Sequence, residues 1–314
     1  MLKENHSSVP EFILLGFSEP LEHTIILFVV FLIMYLVTLV GNSTIIFIIR
    51  VDAHLHTPMY FFLSILSFVD ICLTTCTVPK LLINIFLERK SISFVGCFLQ
   101  LHFFLSFGNM TGFLLAIMAV DRYLAISKPL HYAMLMSRGV RVRLVAGSWV
   151  IISLHSAAHS VMAARLSYCA SNEIRHYFCD LPPLFKLSCS DTSPNELLLL
   201  TETTVFLMSP FLCITISYIL IIITICGMPS TDGRYRAFST CSSHLTAVAL
   251  NYGPVLYTYI RPASAYSLEK DIIISVLYSV GNSLLNPFVY SIRNKEVKGA
   301  LSRILSKRAM FWNK

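Results

Sequence analysis

Seven long apolar stretches constrain this sequence more than any other feature. A helix that crosses a bilayer needs roughly 20 apolar residues. Only 13% of the residues are charged and 55% are hydrophobic, whereas soluble domains carry about 25% charged residues. The sequence therefore predicts an all-α fold, a bundle of seven transmembrane helices that we call spans one to seven. They cover residues 25–49, 58–86, 97–126, 142–164, 196–226, 237–260 and 272–292, and the fourth and sixth are the least apolar.

The basic residues predict which way the bundle faces. If the N-terminus is outside, the cytosolic loops and tail carry most of the 24 Lys and Arg residues, as the positive-inside rule requires. We therefore expect an extracellular tail over residues 1–24, a transmembrane domain over residues 25–292 and a cytosolic tail over residues 293–314. Asn5 begins an Asn-His-Ser acceptor in the first tail and is a predicted glycosylation site.

The cytosolic tail has the pattern of a short amphipathic helix. Between residues 294 and 307, the apolar Val297, Ala300, Leu301 and Ile304 fall on one side, and basic residues surround the rest. Such a helix lies on the surface of a membrane. The sequence therefore predicts an eighth helix on the inner leaflet, with the lipid bilayer as a partner of the whole chain.

Four cysteines are expected on the outer face. Cys169, Cys179 and Cys189 lie in the one long loop, residues 165–195, and Cys97 opens span three on the same side. Disulfides form in such an oxidising compartment. Two disulfides are therefore expected, and spacing leaves all three pairings of four cysteines open.

Asp70 lies in the middle of span two, where a charge costs about 2.5–3.5 kcal/mol on insertion scales. Asn42 of span one and Asn282 and Asn286 of span seven lie at a similar depth. Two interpretations stay open, namely a polar knot that holds the helices together and the core of a switch that senses sodium ions or protons. Both interpretations place these side chains inside the bundle.

Two motifs lie at the inner ends of spans three and seven. They are Asp121-Arg122-Tyr123 and Asn286-Pro287-Phe288-Val289-Tyr290. A proline frees a helix carbonyl and bends the helix, and a neighbouring polar group can satisfy that carbonyl. The first motif alone is weak evidence and the second is stronger, and the two together at these positions of a seven-span chain are very specific.

These motifs and several longer runs resemble the rhodopsin-like G-protein-coupled receptors, and within them the tetrapod-type (class II) olfactory receptors. The runs are LHTPMYFFLS at 55–64, MAVDRYLAISKPLHY at 118–132, RAFSTCSSHL at 236–245 and NPFVYSIRN at 286–294. The likeness extends over residues 12–305. It implies a receptor in the plasma membrane that binds small, largely apolar odorants and activates a stimulatory, olfactory-type heterotrimeric G protein, which raises cyclic AMP.

The resemblance also implies roles for particular residues. Cys97 is expected to pair with Cys179, and Cys169 with Cys189. The expected G-protein-coupling and switch residues are Asp121, Arg122, Tyr123, Tyr218, Asn286, Pro287 and Tyr290. Of these, Arg122, Tyr218 and Tyr290 are expected to regroup at the inner face on activation.

A ligand pocket is expected between spans three, five and six in the outer half of the bundle. Helical spacing puts one set of side chains on an inward stripe of span three, namely Phe104, Leu105, Gly108, Asn109 and Gly112. By analogy the facing residues are Phe206, Tyr252, Val255, Leu256 and Tyr259, and His159 of span four is also expected at the pocket. Glu202 is the polar exception in span five, and we expect it to face inward with His155 and His159 of span four as candidate partners. It would orient a hydroxyl, carbonyl or amine of the ligand, or serve only as a structural hydrogen bond.

Other classes of function find less support. The sequence contains no nucleophile–base pair, phosphate-binding loop or zinc motif, so we expect no enzyme, cofactor or metal, and the dispersed basic residues do not suggest nucleic acid. A transporter or channel would require a path of charged residues through the bundle. A receptor for a non-odorant small molecule remains an alternative, although an amine receptor would carry an acid where Phe104 stands.

Overall fold

The computed structural model describes residues 10–17, 21–169, 171–260, 268–293 and 295–312. Within these residues the chain forms the seven-helix bundle that the sequence predicts, followed by an eighth helix. The predicted glycosylation site, Asn5, lies outside the described residues.

The spans agree with the predicted stretches and extend a few residues past most of their ends. Spans one to four are Leu21–Val51, Pro58–Ile85, Phe94–Ser127 and Arg138–Ala164. Span five joins Ser193–Thr201, a π-helical segment Glu202–Met208 and Ser209–Cys226. Span six is Thr231–Ile260, and span seven joins Leu268–Val276, a π-helical segment Leu277–Gly281 and Asn282–Arg293. The eighth helix is Lys295–Trp312, and short helices at Ala53–Leu55, Tyr132–Leu135 and Leu181–Phe185 lie in the connections.

The outward faces of the spans are apolar. Leu154 is 68% exposed and Ile223 is 62% exposed, which in water would form a large apolar patch. Among the described residues, six helices are long and apolar enough to cross a membrane. The chain is therefore a multi-pass membrane protein whose exposed apolar side chains meet lipid.

Span six is the helix that falls outside this set of six. It has 30 residues, which at 1.5 Å per residue exceeds the thickness of the hydrocarbon core. Its buried side chains include the polar Ser243 and His244. The low apolarity of span six therefore reflects an inward face that makes polar contacts, and the bundle still has seven helices.

A small three-stranded sheet, which the sequence did not predict, lies at the end of the bundle that holds the N-terminal segment and the long loop. We call this the outer end and the opposite one the inner end. The strands are β1 (Glu11–Leu14), β2 (Ser91–Ser93) and β3 (Glu173–Ile174). The central β1 pairs antiparallel with β2 and parallel with β3. Part of the predicted N-terminal tail, Glu11–Leu14, thus pairs with strands from two outer loops.

Phe12 anchors this sheet. The side chain is fully buried, and its ring lies 5.2 Å from that of Tyr168 and 5.9 Å from that of Phe94. Leu14, two residues along the strand, is buried on the same side, as the alternation of a strand requires. These contacts join the N-terminal segment to the start of span three and to the long loop.

Two disulfides restrain the long loop, and one of them ties it to the outer end of span three. Ser93 caps span three by accepting a hydrogen bond from the backbone N–H of Gly96 at 3.1 Å, which places Cys97 in the first turn. Cys97 is bonded to Cys179, and Cys169 is bonded to Cys189 within the loop. A disulfide of this kind restricts the conformations that the loop can adopt.

The eighth helix docks against the first inner loop and the start of span two through two polar contacts. The guanidinium of Arg303 donates to Oδ2 of Asp52 at 2.6 and 2.9 Å, and the hydroxyl of Tyr60 donates to Glu296 at 2.7 Å. Desolvation raises the pKa of Asp52, but hydrogen bonds from Arg303 and His54 outweigh it and bring that pKa to about 2. Asp52 is therefore a carboxylate at any physiological pH.

We expect Asp52→Asn to loosen the eighth helix, because Arg303 loses its charged partner while the size of the side chain is kept. Hydrogen–deuterium exchange of the protein in lipid nanodiscs should show faster amide exchange between residues 295 and 306. Lys298→Gln is the matched control, since it removes an exposed charge on the same helix. Equal exchange in the two variants would contradict this docking.

Candidate ligand-binding site

A cavity of about 280 Å³ lies in the outer half of the bundle. Spans two, three, five, six and seven contribute to its walls, and the long outer loop covers it. Ligand pockets for drug-sized molecules start at about 300 Å³, so this cavity suits a smaller molecule.

Most of the predicted pocket residues line this cavity. Those that do so are Phe104, Leu105, Gly108, Asn109, Gly112, Glu202, Phe206 and Tyr252. They share the inward stripe of span three and the facing sides of spans five and six. The stripe of span three was placed by helical spacing, and the residues of spans five and six were placed by analogy.

Four predicted residues stand apart from this set. His159 is only 1% exposed and lies behind Glu202 rather than in the cavity wall. Leu256 packs against the central apolar core instead of lining the cavity. The side chains of Val255 and Tyr259 lie outside the described part of the chain.

The outer loop contributes cavity residues that sequence reasoning missed. Asp180, Leu181 and Pro182 follow Cys179 directly and border the cavity. Desolvation raises the pKa of Asp180 to about 6, although hydrogen bonds from the Leu181 N–H and the Tyr278 hydroxyl act against it. These three residues could have been predicted from the sequence, because the expected bond between Cys97 and Cys179 brings the residues after Cys179 to the outer end of span three.

Further cavity residues were also missed in the spans. They are Leu73, Thr111, Leu199, Thr203, Leu207, Asn251 and Tyr278. Glu202, Thr203, Phe206 and Leu207 belong to the π-helical segment of span five, and Tyr278 belongs to that of span seven. A π-turn carries an extra residue and often marks a functional site. A single sequence does not predict where π-turns occur. Helical spacing therefore could not predict which side chains of these two segments point into the cavity.

Glu202 is the polar centre of the cavity wall. One carboxylate oxygen, Oε1, accepts from the side-chain amide of Asn109 at 2.6 Å. The other, Oε2, lies 2.7 Å from Nε2 of His155 and 3.5 Å from Nε2 of His159. The ring of His155 stacks on Phe206 with centroids 4.0 Å apart. The structure thus brings together the partners proposed for Glu202, and they tie spans three, four and five.

Two glycines of span three shape the cavity. A Cβ atom built on Gly112 would lie 3.1 Å from the hydroxyl of Tyr252, whereas one built on Gly108 would meet nothing within 4 Å. Gly112 therefore lets Tyr252 approach the helix closely, and Gly108 leaves open space.

Asp70 lies at the centre of a buried network in the middle of the bundle. Its two carboxylate oxygens accept from Ser283 at 3.0 Å and from Asn286 at 2.8 Å. The amide of Asn42 donates to the Ser283 carbonyl at 3.0 Å. Spans one, two and seven are thereby joined. Asn282, which was grouped with them by depth, instead donates to Asn251 of span six at 3.3 Å.

The predicted switch residues lie near the inner end. Asp121 accepts a hydrogen bond from the hydroxyl of Tyr132 at 2.8 Å, while the guanidinium of Arg122 contacts the sulfur of Met59. Tyr123 packs against the central apolar core. Pro287 packs closely on Gly41 of span one, where an added Cβ would lie 3.1 Å from the proline ring.

His244 of span six is a bridging residue that sequence reasoning missed. Its Nε2 lies 3.0 Å from the carbonyl oxygen of Leu115 in span three, and its Nδ1 lies 2.8 Å from the hydroxyl of Tyr218 in span five. A carbonyl only accepts, so Nε2 carries a proton and donates it to Leu115. The imidazole of His244 thus holds spans three, five and six together below the cavity.

Comparison with known proteins shows similarity to olfactory receptors over nearly the whole chain. The olfactory receptor family profile matches residues 31–308. Olfactory receptor 1f45 of Rattus norvegicus is 50% identical over 308 residues, which cover 98% of each chain. Olfactory receptor 1F1 of Homo sapiens is 50% identical over 303 residues, which cover 96% of this chain and 97% of that one.

The chain belongs to the olfactory receptor family. It is therefore a receptor and not an enzyme, and the family assignment argues against a transporter or channel. The crystal structure of squid rhodopsin matches with a TM-score of 0.70 at 17% identity, and the match covers 92% of this chain and 87% of that one. That likeness shows the rhodopsin-like fold and nothing about the ligand.

For this olfactory receptor, we expect Gly108→Ala to reduce the response to the largest ligands more than to the smallest, because the new methyl group occupies cavity space. A mismatch of this size is worth about 1–3 kcal/mol, so the half-maximal concentration of a tightly fitting ligand should rise about tenfold or more. Dose–response curves for a homologous series of ligands measure this.

Gly147→Ala is the matched control for this series. It adds the same methyl group with nothing within 4 Å, but on the exposed face of span four. Both changes raise helix propensity equally. Parallel shifts of the whole ligand series in the two variants would contradict a cavity beside Gly108.

Proposed function

We propose that this receptor binds small, largely apolar odorants in the outer cavity and activates a stimulatory, olfactory-type heterotrimeric G protein, which raises cyclic AMP. The observation that carries this proposal is the covered, mostly apolar and aromatic cavity with polar groups at a few fixed points. Such a site holds a small molecule by burial and orients it by one or two hydrogen bonds.

Two polar groups are suited to orienting an odorant. The Glu202 carboxylate, held by Asn109, lies in the cavity wall and accepts hydrogen bonds from a hydroxyl or amine. The Tyr252 hydroxyl also borders the cavity, is buried, and makes no hydrogen bond with the residues that the structure describes. A buried hydroxyl without a partner is costly, which favours its pairing with a carbonyl or hydroxyl of the ligand.

The path from the cavity to the inner end runs along spans five and six. Tyr252 contacts Phe211 of span five with ring centroids 5.1 Å apart, and His244 lies two turns further along span six. A ligand that favours one position of Tyr252 biases the two states of the bundle by its differential affinity for them.

The inner end contains groups that can regroup on activation. The hydroxyl of Tyr290 is buried and has no hydrogen-bond partner among the described residues, which supports an alternative position for it in the active state. In our proposal Arg122, Tyr218 and Tyr290 rearrange there and open a cleft for the G protein, with Asn286 and Pro287 allowing span seven to bend.

We place the receptor in the plasma membrane with its N-terminus outside. The basic residues of the inner loops and tail support this orientation, as do the two disulfides at the outer end. The tail at 1–24, the bundle at 25–292 and the cytosolic tail at 293–314 are then the three parts of the chain.

The direct test is a cyclic AMP assay in cells that express the receptor and an olfactory-type stimulatory G protein. An epitope tag at the N-terminus, detected on intact cells, checks orientation and surface display. We expect a dose-dependent rise in cyclic AMP for small apolar odorants and its loss in Arg122→Ala. Odorants that bind the purified receptor but do not raise cyclic AMP in these cells would overturn the proposal.

We expect Glu202→Gln to change the ranking of odorants. Alcohols and amines should lose about tenfold or more in potency, because a hydrogen bond to a charged group is worth about 1.5–3 kcal/mol, while hydrocarbons and esters should change little. Glu196→Gln is the matched control, since it makes the same change at an exposed site of span five. An unchanged ranking at normal surface display would refute a role for Glu202 in orienting the ligand.

A further inference from the structure

Three side chains of types that can bind a metal ion lie close together at the cavity wall. His155 and His159 are four residues apart and share one face of span four, and Glu202 faces them from span five. The two Nε2 atoms lie 3.2 Å apart, and Glu202 Oε2 lies 2.7 and 3.5 Å from them. All three are buried or nearly so, with exposed side-chain fractions of 13%, 1% and 14%.

These separations match those around a tetrahedral metal ion. Zinc binds imidazole nitrogen and carboxylate oxygen at about 2.0–2.2 Å, which places neighbouring ligand atoms roughly 3.3 Å apart. The observed distances of 2.7, 3.2 and 3.5 Å lie on both sides of this value. The 3.2 and 3.5 Å separations are close to this spacing, and the 2.7 Å separation would lengthen by about 0.6 Å in a regular tetrahedral site.

Hydrogen bonding alone leaves this cluster incompletely satisfied. Oε2 of Glu202 is buried and receives no well-directed hydrogen bond, even though both rings are near it. The N–H of a neutral ring at His155 or His159 can point at the other nitrogen or at the carboxylate, but not at both. An ion at the common centre accepts a lone pair from all three atoms at once.

The surroundings hold the ligands in position, as the second shell of a metal site does. Asn109 donates to the other carboxylate oxygen of Glu202 at 2.6 Å. Phe206 stacks on the ring of His155 with planes 11° apart. The carboxylate and that ring are therefore oriented by residues that do not themselves bind the metal.

We propose that His155, His159 and Glu202 form a zinc site in the wall of the cavity. Two neutral imidazoles and one carboxylate are a ligand set that zinc uses, with a fourth position left for water or another ligand. Of the three ligands, Glu202 also lines the cavity. The sequence predicted these three side chains as partners but predicted no metal, because Glu202 lies 43 residues beyond His159 and the three form no zinc motif.

The test measures zinc binding without any odorant. The full-length receptor is purified into nanodiscs, freed of metal with a chelator and titrated with zinc chloride against a chromogenic zinc indicator. We expect one high-affinity ion per receptor, and an affinity at least about tenfold weaker in His155→Gln and in Glu202→Gln. His102→Gln is the matched control, because it removes another histidine of the outer half and should leave the affinity unchanged.

A spectroscopic variant separates ligation from misfolding. Cobalt(II) in place of zinc should give the visible absorption of a tetrahedral site, and His155→Cys should retain it and add a thiolate-to-cobalt band in the near ultraviolet. A wild-type receptor that binds no zinc, or variants that bind it like the wild type, would overturn the proposal and leave the cluster as a hydrogen-bonded knot. Either result leaves the odorant and G-protein proposal standing, because neither partner is present in the assay.

Discussion

The constraint on which the structure depends is that lipid satisfies neither backbone hydrogen bonds nor buried polar side chains. Within the bilayer the backbone must therefore be helical, and lipid does not press helices together as water does. Close packing and polar contacts inside the bundle must hold it. Three such contacts stand out, centred on Asp70 for spans one, two and seven, on His244 for spans three, five and six, and on Glu202 for spans three, four and five.

The positions of these contacts explain where the receptor can bind a ligand. The contacts of Asp70 and His244 lie in the middle and inner parts of the bundle, where the helices are drawn together. Glu202 lies further out, where Gly108 and the π-helical segment of span five leave space. The disulfide at Cys179 draws the outer loop over that space and so turns a gap between helices into a covered cavity. The same carboxylate thus stabilises the bundle and gives the cavity its polar side.

Features that depend on local pattern could be predicted from the sequence, and features that depend on long-range contacts could not. The spans and the inward stripe of span three follow from apolarity and helical spacing, and the family resemblance supplied the cysteine pairing. The outer sheet joins segments of only two to four residues that are far apart in the chain, too short to show a period. The bridging role of His244 could not be predicted, because its partners, Leu115 and Tyr218, lie on other spans. Leu256 was placed in the pocket by analogy, but its side chain packs against the central apolar core and does not line the cavity.

The most direct test of this account is a cryo-electron microscopy structure of the receptor with an activating odorant and a G protein. The account predicts density for the odorant beside Gly108, Phe206 and Tyr252, bordered by Glu202 and covered by the loop after Cys179. It also predicts a G-protein segment at the inner end near Arg122. Odorant density confined to the lipid-facing surface, or above the outer loop with the cavity empty, would contradict it.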